Sequence, residues 1–277
     1  MIRFVLILCL AVLALTGCRS ASDAAVVAAE PERAVFHYAP VRASYLAVSR
    51  RNVEQDMQGT TQHTETILRV EVASELRPVD SGFEATFTID SILQLEMPGA
   101  SGVEARRLEG RRYSGLTSPT GEFTDFDPGT ATSPLAQQIT NIIEQFFPTV
   151  PGDGVEEGSV WTDSTANVGN NGGAEITTTA VTENHAESWT QFLGQDALVV
   201  SWVSQYRFTG SGEQLGQPFT IDGSGERRGQ HYLGRDGKLL GSISSDSSTA
   251  EATIATFGMS IPIRQSAADS ILLRVDP

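Results

Sequence analysis

The feature that most constrains the fold of this 277-residue chain is a long alternation of apolar and polar side chains. Within residues 83–97, the positions of one parity carry seven apolar side chains: Phe83, Ala85, Phe87, Ile89, Leu93, Leu95 and Met97. The positions of the other parity are mostly charged residues or threonine. Because successive side chains of a strand point to opposite faces, this pattern predicts a long strand with one dry face and one face open to water.

Two further spans, residues 64–76 and 198–208, show the same period of two. Turn-forming sequences separate the alternating spans, at residues 77–82, 118–121, 170–173 and 235–237. The Asn-Gly and Asp-Gly steps among them permit the positive φ values of tight hairpins. Together these signals predict about ten antiparallel strands, several of them longer than ten residues.

One segment has helical rather than strand spacing. Ser133 and Pro134 form a cap followed by proline at the first helical position. Apolar side chains then recur along one stripe: Leu135, Ile139, Ile142, Ile143, Phe146 and Phe147. The pattern predicts an amphipathic helix over about 133–147 that covers an apolar sheet face. A membrane-docking helix is the alternative, and the lack of cations on its polar face disfavours it.

We therefore expect a mainly β fold whose long antiparallel strands form one strongly curved sheet or half-barrel, with this helix on its apolar face. A closed barrel or a two-sheet sandwich is the structural alternative. At the architectural level the expected fold resembles the LolA/LolB-like periplasmic half-barrels. The segment Gly158-Ser159-Val160-Trp161 also resembles strand starts of uncharacterised secreted β-rich bacterial proteins. The first resemblance implies a concave apolar face able to accept acyl chains.

The N-terminus carries a targeting signal. Arg3 precedes an apolar run of twelve residues, which is shorter than the ~20 residues of a membrane-spanning helix and is typical of a signal peptide. The tetrad Leu15-Thr16-Gly17-Cys18 that follows resembles the lipobox of bacterial lipoproteins. The resemblance implies cleavage between Gly17 and Cys18, a diacylglycerol on the Cys18 thiol, and acylation (palmitate) of the new amine. An ordinary signal peptide with a chance cysteine is the alternative.

Three segments follow from this interpretation. Residues 1–17 are the signal peptide, residues 18–42 a lipid-anchored flexible tether rich in Ala, Ser, Glu and Pro, and residues 43–277 a single β-rich domain. Arg19 follows the modified cysteine, and under the sorting rule of enteric lipoproteins the absence of Asp there favours the outer membrane. We expect a lipid-anchored protein of the cell envelope that faces the periplasm.

Composition narrows the chemistry. Thirty-four acidic residues against nineteen basic ones give a net charge of −15, which disfavours nucleic-acid binding. Cys9 leaves with the signal peptide and Cys18 is consumed by lipid, so no disulfide is expected.

His63 and Glu65 share a strand face, but two ligands do not make a metal site. The acidic loop residues lack the register of a calcium loop: Asp125, Asp127, Asp153, Glu156 and Glu157. We predict no metal, no cofactor and no catalytic residues.

Two local patterns bear on the sheet faces. Neighbours on a strand face opposite ways, so none of the paired arginines should form one patch: Arg50-Arg51, Arg106-Arg107, Arg111-Arg112 and Arg227-Arg228. The glycine-rich stretches 210–212 and 223–225 do not open a helix, as a phosphate loop would, and we interpret them as hairpin or bulge glycines.

Three functions fit these observations. The first is a non-enzymatic envelope lipoprotein that binds an apolar ligand or lipid in the curved sheet, or an envelope protein. The second is a structural or protein-interaction module that uses a sheet face or an edge strand. The third is a hydrolase with two buried carboxylates that converge only in space.

The lipid anchor can be tested directly with labelled palmitate in a bacterial host. Wild-type protein should incorporate the label and sediment with membranes, because several acyl chains anchor a protein stably. Cys18→Ala should abolish both. Cys9→Ala is the matched control and should keep both, since that residue is removed with the signal. Label retained on the Cys18→Ala protein would contradict the lipobox interpretation.

Overall fold

The computed structural model describes residues 35–57, 59–127, 133–171, 174–214 and 216–275. Within these residues, eleven antiparallel strands form one open, curled sheet with two helices, which confirms the predicted mainly β fold. The strands are β1 (Val41–Met57), β2 (Thr60–Val79), β3 (Gly82–Glu96), β4 (Arg112–Thr117), β5 (Phe123–Asp127), β6 (Val160–Asn171), β7 (Ala174–Phe192), β8 (Gln195–Gln214), β9 (Gln217–Gly234), β10 (Leu239–Ile254) and β11 (Met259–Leu273). The helices are α1 (Gly102–Leu108) and α2 (Pro134–Ile143), and a 3₁₀ turn spans Ala255–Phe257.

The sheet consists of two meanders joined at its centre. The strand order is β5-β4-β3-β2-β1-β11-β10-β9-β8-β7-β6, so the first and last strands of the chain pair with each other. Ser49 of β1 lies opposite Asp269 of β11, and this register continues without a shift. The described strands β5 and β6 are the two edges and do not pair, so the sheet is neither a closed barrel nor a sandwich.

The core lies between α2 and the concave face of the sheet. Phe146 packs edge-to-face against Tyr45 and Phe87, with ring centroids 5.0 Å and 5.1 Å apart. Such ring pairs add to the free energy gained by burying their area. The apolar stripe predicted for the helix is fully buried at its helical members: Leu135, Ile139, Ile142 and Ile143. The helix therefore covers the apolar sheet face as expected.

The helix ends earlier than predicted. Its last residue is Ile143, whereas the sequence pattern extended it to about residue 147. Phe146 and Phe147 follow in a turn and still pack into the core. Pro148 restricts Phe147, because a proline disfavours the helical conformation of the residue before it. The preceding residues Gln145 and Phe146 donate to the carbonyls three residues earlier, Ile142 and Ile143, so the last turn is tighter than an α-helix. On the face predicted to be polar, Gln138 is buried and donates a hydrogen bond to Ser49 Oγ at 2.9 Å.

The second helix, α1, was not predicted from the sequence. It has seven residues, and Leu108 is its one buried side chain, so it presents no apolar stripe. Its N-terminus is capped by Ser101, whose Oγ accepts a hydrogen bond from the Glu104 N–H at 3.2 Å. A helix of two turns with one buried residue leaves no periodic signal.

The domain begins before the predicted boundary at residue 43. Phe36 is 1% exposed and forms a two-way backbone bridge with Val155, its N–H donating to the Val155 carbonyl at 2.7 Å. Tyr38 is also buried, and its hydroxyl donates to the Pro148 carbonyl. Phe36 and Tyr38 are thus part of the core, while the predicted signal peptide, Cys18 and the predicted tether up to residue 34 lie outside the described residues.

Four long hairpins extend beyond the helix-covered core. They are β1–β2, β6–β7, β8–β9 and β10–β11, and their turns lie at the same end of the sheet. Strands of up to twenty residues span about 66 Å, whereas the ten residues of α2 span about 15 Å. The helix therefore covers only part of the concave face.

Core truncation tests this packing. Phe146→Ala should lower the free energy of unfolding by about 3–5 kcal/mol, because it removes two aromatic contacts and leaves a cavity. Asn141→Ala, on the exposed side of α2, should change it by less than about 0.5 kcal/mol. Chemical denaturation followed by circular dichroism measures both. Equal midpoints for the two variants would show that the packing of Phe146, in the turn after α2, does not stabilise the fold.

Candidate functional site

Apolar side chains continue along the concave face beyond the helix. We call this region the open band and define it by ten residues of β7 to β11: Ile176, Phe208, Phe219, Ile221, Ala250, Ala252, Ile254, Met259, Ile261 and Ile263. All are half-buried, although no described helix covers them. Neighbouring side chains and the curl of the sheet provide this partial burial.

The convex face behind the open band is polar. Thr220 and Asp222 of β9 and Thr249 and Glu251 of β10 are exposed, and they alternate with open-band residues on the same strands. The alternation seen in the sequence thus persists in β9 and β10 up to their hairpin turns. One side of this sheet is suited to water and the other to an apolar surface.

A row of mainly polar residues separates the core from the open band. We call it the polar row, and the strand registers place its members side by side across eight strands: Asp163, Thr182, Ser204, Arg227, Asp246, Ala267, Arg51 and Thr66. Thr182 donates a hydrogen bond to Ser204 across the β7–β8 pair at 2.8 Å. On β1, the row passes through Arg51, two residues after Ser49, which accepts a hydrogen bond from Gln138 of α2.

Three side chains form a charged cluster at the centre of the row. The Asp246 side chain is 3% exposed, and its carboxylate accepts hydrogen bonds from Arg227 Nε at 3.1 Å and from the Tyr206 hydroxyl at 2.9 Å. A buried carboxylate is stable only when its charge is compensated in this way. Burial, followed by the negative charge of Asp246, raises the pKa of Tyr206 to about 12.

The pairs Arg50-Arg51 and Arg227-Arg228 divide between the two faces, as predicted, whereas Arg106 and Arg107 lie in the helix α1 rather than in a strand. Arg50 faces the convex side within 3.9 Å of Glu65, and Arg228 is likewise exposed. Arg51 and Arg227 both lie on the concave face, and the strand registers bring them into the same row. Arg51 Nε is buried and has no hydrogen-bond partner among the described residues.

Trp202 and His231 adjoin the polar row on its core side. Their rings stack with centroids 5.5 Å apart, and the buried atoms Trp202 Nε1 and His231 Nδ1 have no hydrogen-bond partner among the described residues. Burial lowers the pKa of His231 to about 3, so the imidazole is uncharged at neutral pH. A residue with this pKa does not act as an acid or a base near pH 7.

Glycines of β9 accommodate aromatic rings of β8. Gly223, Gly225 and Gly229 lie opposite Phe208, Tyr206 and Trp202 in a register without shifts. A Cβ at Gly225 would collide with the Tyr206 ring and would lie 2.6 Å from the Ser247 carbonyl oxygen. The hairpin or bulge interpretation is therefore wrong for Gly223 and Gly225. They are strand glycines that let neighbouring rings approach the backbone.

The candidate metal ligands are not brought together. His63 and Glu65 are exposed on the convex side of β2, where their charged neighbours are Glu54 at 3.8 Å and Arg50 at 3.9 Å. Among the described residues there is no group of three or more His, Cys, Asp or Glu side chains arranged to hold a metal ion. The predicted lipid attachment at Cys18 and cleavage at Gly17-Cys18 lie outside the described part of the chain.

The described residues also lack the buried carboxylate pair that the hydrolase hypothesis requires. Asp246 is the one Asp or Glu among them that is buried, and its partners are Arg227 and Tyr206. A depression of about 470 Å³ on the convex face is open and polar, lined by Arg207, Asp222, Gly223, Ser224, Thr249, Ala250 and Glu251. Its acidic residues are exposed.

Sequence reasoning missed the polar row, although a signal was present. Arg227 and Asp246 occupy the parity of the apolar residues in their own strands, where a charged side chain must face inward. Their convergence could not be read from either strand alone, because it depends on how β9 and β10 are aligned.

No protein-family model matches the chain, and no curated protein is similar to it. The solved structures that it resembles include OccK2 (OpdF) of Pseudomonas aeruginosa, with 7% identity, a TM-score of 0.27, and coverage of 84% of this chain and 98% of the other. A loop L8 deletion mutant of OmpT, an outer membrane protein of Vibrio cholerae, has 8% identity, a TM-score of 0.22 and coverage of 85% and 100%.

An outer membrane lipoprotein-sorting protein domain from Vibrio parahaemolyticus is also similar, with 10% identity and a TM-score of 0.18 over 85% of this chain and 87% of that one. At these scores the resemblances are weak, and none of them assigns a function. Within the described residues, neither helix is long and apolar enough to cross a membrane.

The Tyr206–Asp246 contact makes a prediction about pH. Unfolded tyrosine ionises near pH 10 and folded Tyr206 near 12, so the stabilisation from this difference is complete below about pH 10 and is lost as the pH rises towards 12. Asp246→Asn removes the neighbouring charge and should lower the pKa of Tyr206. Tyrosinate absorbance measures the shift, with Tyr206→Phe identifying the signal. If wild type and Asp246→Asn give the same titration curve, the charge of Asp246 does not contribute to the raised pKa of Tyr206.

Proposed function

We propose that the protein is a lipid-anchored component of the bacterial cell envelope that binds an apolar ligand on the open band, without catalysing a reaction. The observation that carries the proposal is the continuation of the apolar concave face beyond the reach of α2. Residues such as Phe208, Ile221 and Ile261 are half-buried there without a covering element in the described chain. A contiguous apolar sheet face without a covering element is a candidate binding surface.

In this proposal, the part of the concave face that α2 covers does not bind the ligand. The side chains of α2 fill it, and Leu135, Ile139 and Ile143 are fully buried against the sheet. The binding surface is therefore restricted to the half near the hairpin turns. The lipobox at Leu15-Thr16-Gly17-Cys18 supports the membrane location, and Arg19 supports the outer membrane facing the periplasm.

Native mass spectrometry tests the ligand. The mature chain, residues 18–277 with Cys18→Ser to prevent acylation, should carry a copurifying amphiphile when it is produced in a bacterium. Ile221→Asn should lower the bound fraction, because it places an amide in the centre of the open band. Thr220→Asn is the matched control on the convex face of the same strand and should leave the bound fraction unchanged.

The outcomes are distinct. Loss of ligand from Ile221→Asn but not from Thr220→Asn supports binding on the concave face. Equal occupancy in both variants would contradict that location. A wild-type protein without any bound amphiphile would overturn the proposal and leave the second function below as the better supported one.

The second candidate is a protein-interaction module, and the edge strand β6 favours it. Its residues 164–171 carry no charge and no proline, and Val168 is 67% exposed. Edge strands usually carry charged residues or proline, which protect them from pairing with other chains. An unprotected edge of this length can accept a strand from an envelope partner by β-augmentation.

A further inference from the structure

We propose that the ligand of the open band is a long-chain fatty acid, whose carboxylate binds Arg51 and whose chain lies along β10 and β11. This inference rests on the proposed function and adds the chemical class and the orientation of the ligand. The determining observation is the position of Arg51, a cation on the concave face between the core and the open band, with Val53 and Gln265 next along β1 and β11.

Arg51 has unsatisfied hydrogen-bonding capacity. Its Nε is buried without a hydrogen-bond partner, and among the described residues no carboxylate oxygen lies within 4.0 Å of its guanidinium. Leaving a buried charged donor unpaired is costly, and a carboxylate matches the planar donor geometry of arginine. Its neighbour Arg50, on the other face, lies within ion-pair distance of Glu65.

The acidic groups on the concave face do not neutralise Arg51. Asp246 lies two strands away in the polar row and is occupied by Arg227 and Tyr206. Asp269 lies one step nearer the core, opposite Ser49, and forms no ion pair among the described residues. Asp163 is at the far edge of the row, on β6. The side chain between Arg51 and Asp246 is the small, uncharged Ala267, so no acidic group lies directly beside Arg51 on β11.

The concave side of β10 carries the small side chains Ser248, Ala250 and Ala252 between the polar row and the hairpin turns, and we call this strip the trough. Ala250 and Ala252 are flanked by Ile263 and Ile261 of β11, and by Gly223 and Ile221 of β9. From Asp246 to Ile254 the strand spans about 26 Å. One hydrocarbon leaflet of a bilayer is about 15 Å thick, so an acyl chain of ordinary length fits along the trough.

Isothermal titration of the mature Cys18→Ser chain with laurate and with 1-dodecanol tests the inference at about pH 8, where the acid is ionised. Wild type should bind laurate about tenfold more tightly than the alcohol, the effect of one charge-assisted hydrogen bond. Arg51→Gln should remove this preference by weakening laurate alone. Arg51→Lys should retain only part of it, because the charge remains but the planar donor geometry is lost.

Arg50→Gln is the matched control, since it removes an adjacent arginine from the convex face, and it should keep the full preference. Thermal unfolding of each variant checks that it is folded. Equal binding of laurate and dodecanol by wild type, or an unchanged preference in Arg51→Gln, would overturn the fatty-acid assignment while leaving apolar binding intact. If neither probe binds, the proposed function fails together with this inference.

Discussion

The difference in length between one short helix and a set of long strands determines the organisation of this protein. A helix of about 15 Å covers the base of a sheet whose strands extend up to about 66 Å. Where α2 packs, the apolar concave face becomes a close-packed core around Phe146. Where it does not reach, the same alternation of side chains continues and produces the open band. The candidate site is thus a consequence of incomplete coverage.

The polar row lies where these two environments meet. On its core side Ser49 accepts a hydrogen bond from Gln138 of α2, and on its other side Tyr206, Ser248 and Gln265 precede the apolar side chains of the open band. Asp246 is stable there because Arg227 and Tyr206 compensate its charge. Next to this row, Gly225 leaves space for the ring of Tyr206 on the neighbouring strand, so the two strands can pair without a shift in register. Arg51 stands out from this balanced arrangement, and its unmet hydrogen-bonding capacity motivates the fatty-acid proposal.

Most of the architecture could be predicted, because it depends on local periodicity. The strands β2, β3 and β8 contain the three alternating spans, and α2 contains the predicted helical stripe. The predictions failed where local signals are weak or where distant segments meet. The helix α1 has a single buried residue, and Phe36 joins the core through a bridge to Val155, far along the chain. Gly223 and Gly225 were misinterpreted because their aromatic partners lie on another strand.

The sequence alone determined the alternation, the amphipathic helix, the lipobox resemblance and the placement of Arg50 and Arg51 on opposite faces. Each follows from covalent neighbours or from the geometry of a single element. Only the tertiary structure decided that the first and last strands pair, which sets the order of all eleven. That order aligns Arg51 with Asp246 and Arg227, residues about two hundred positions apart in the chain. Strand register is a property of pairs of strands, so no single segment encodes the row that they form.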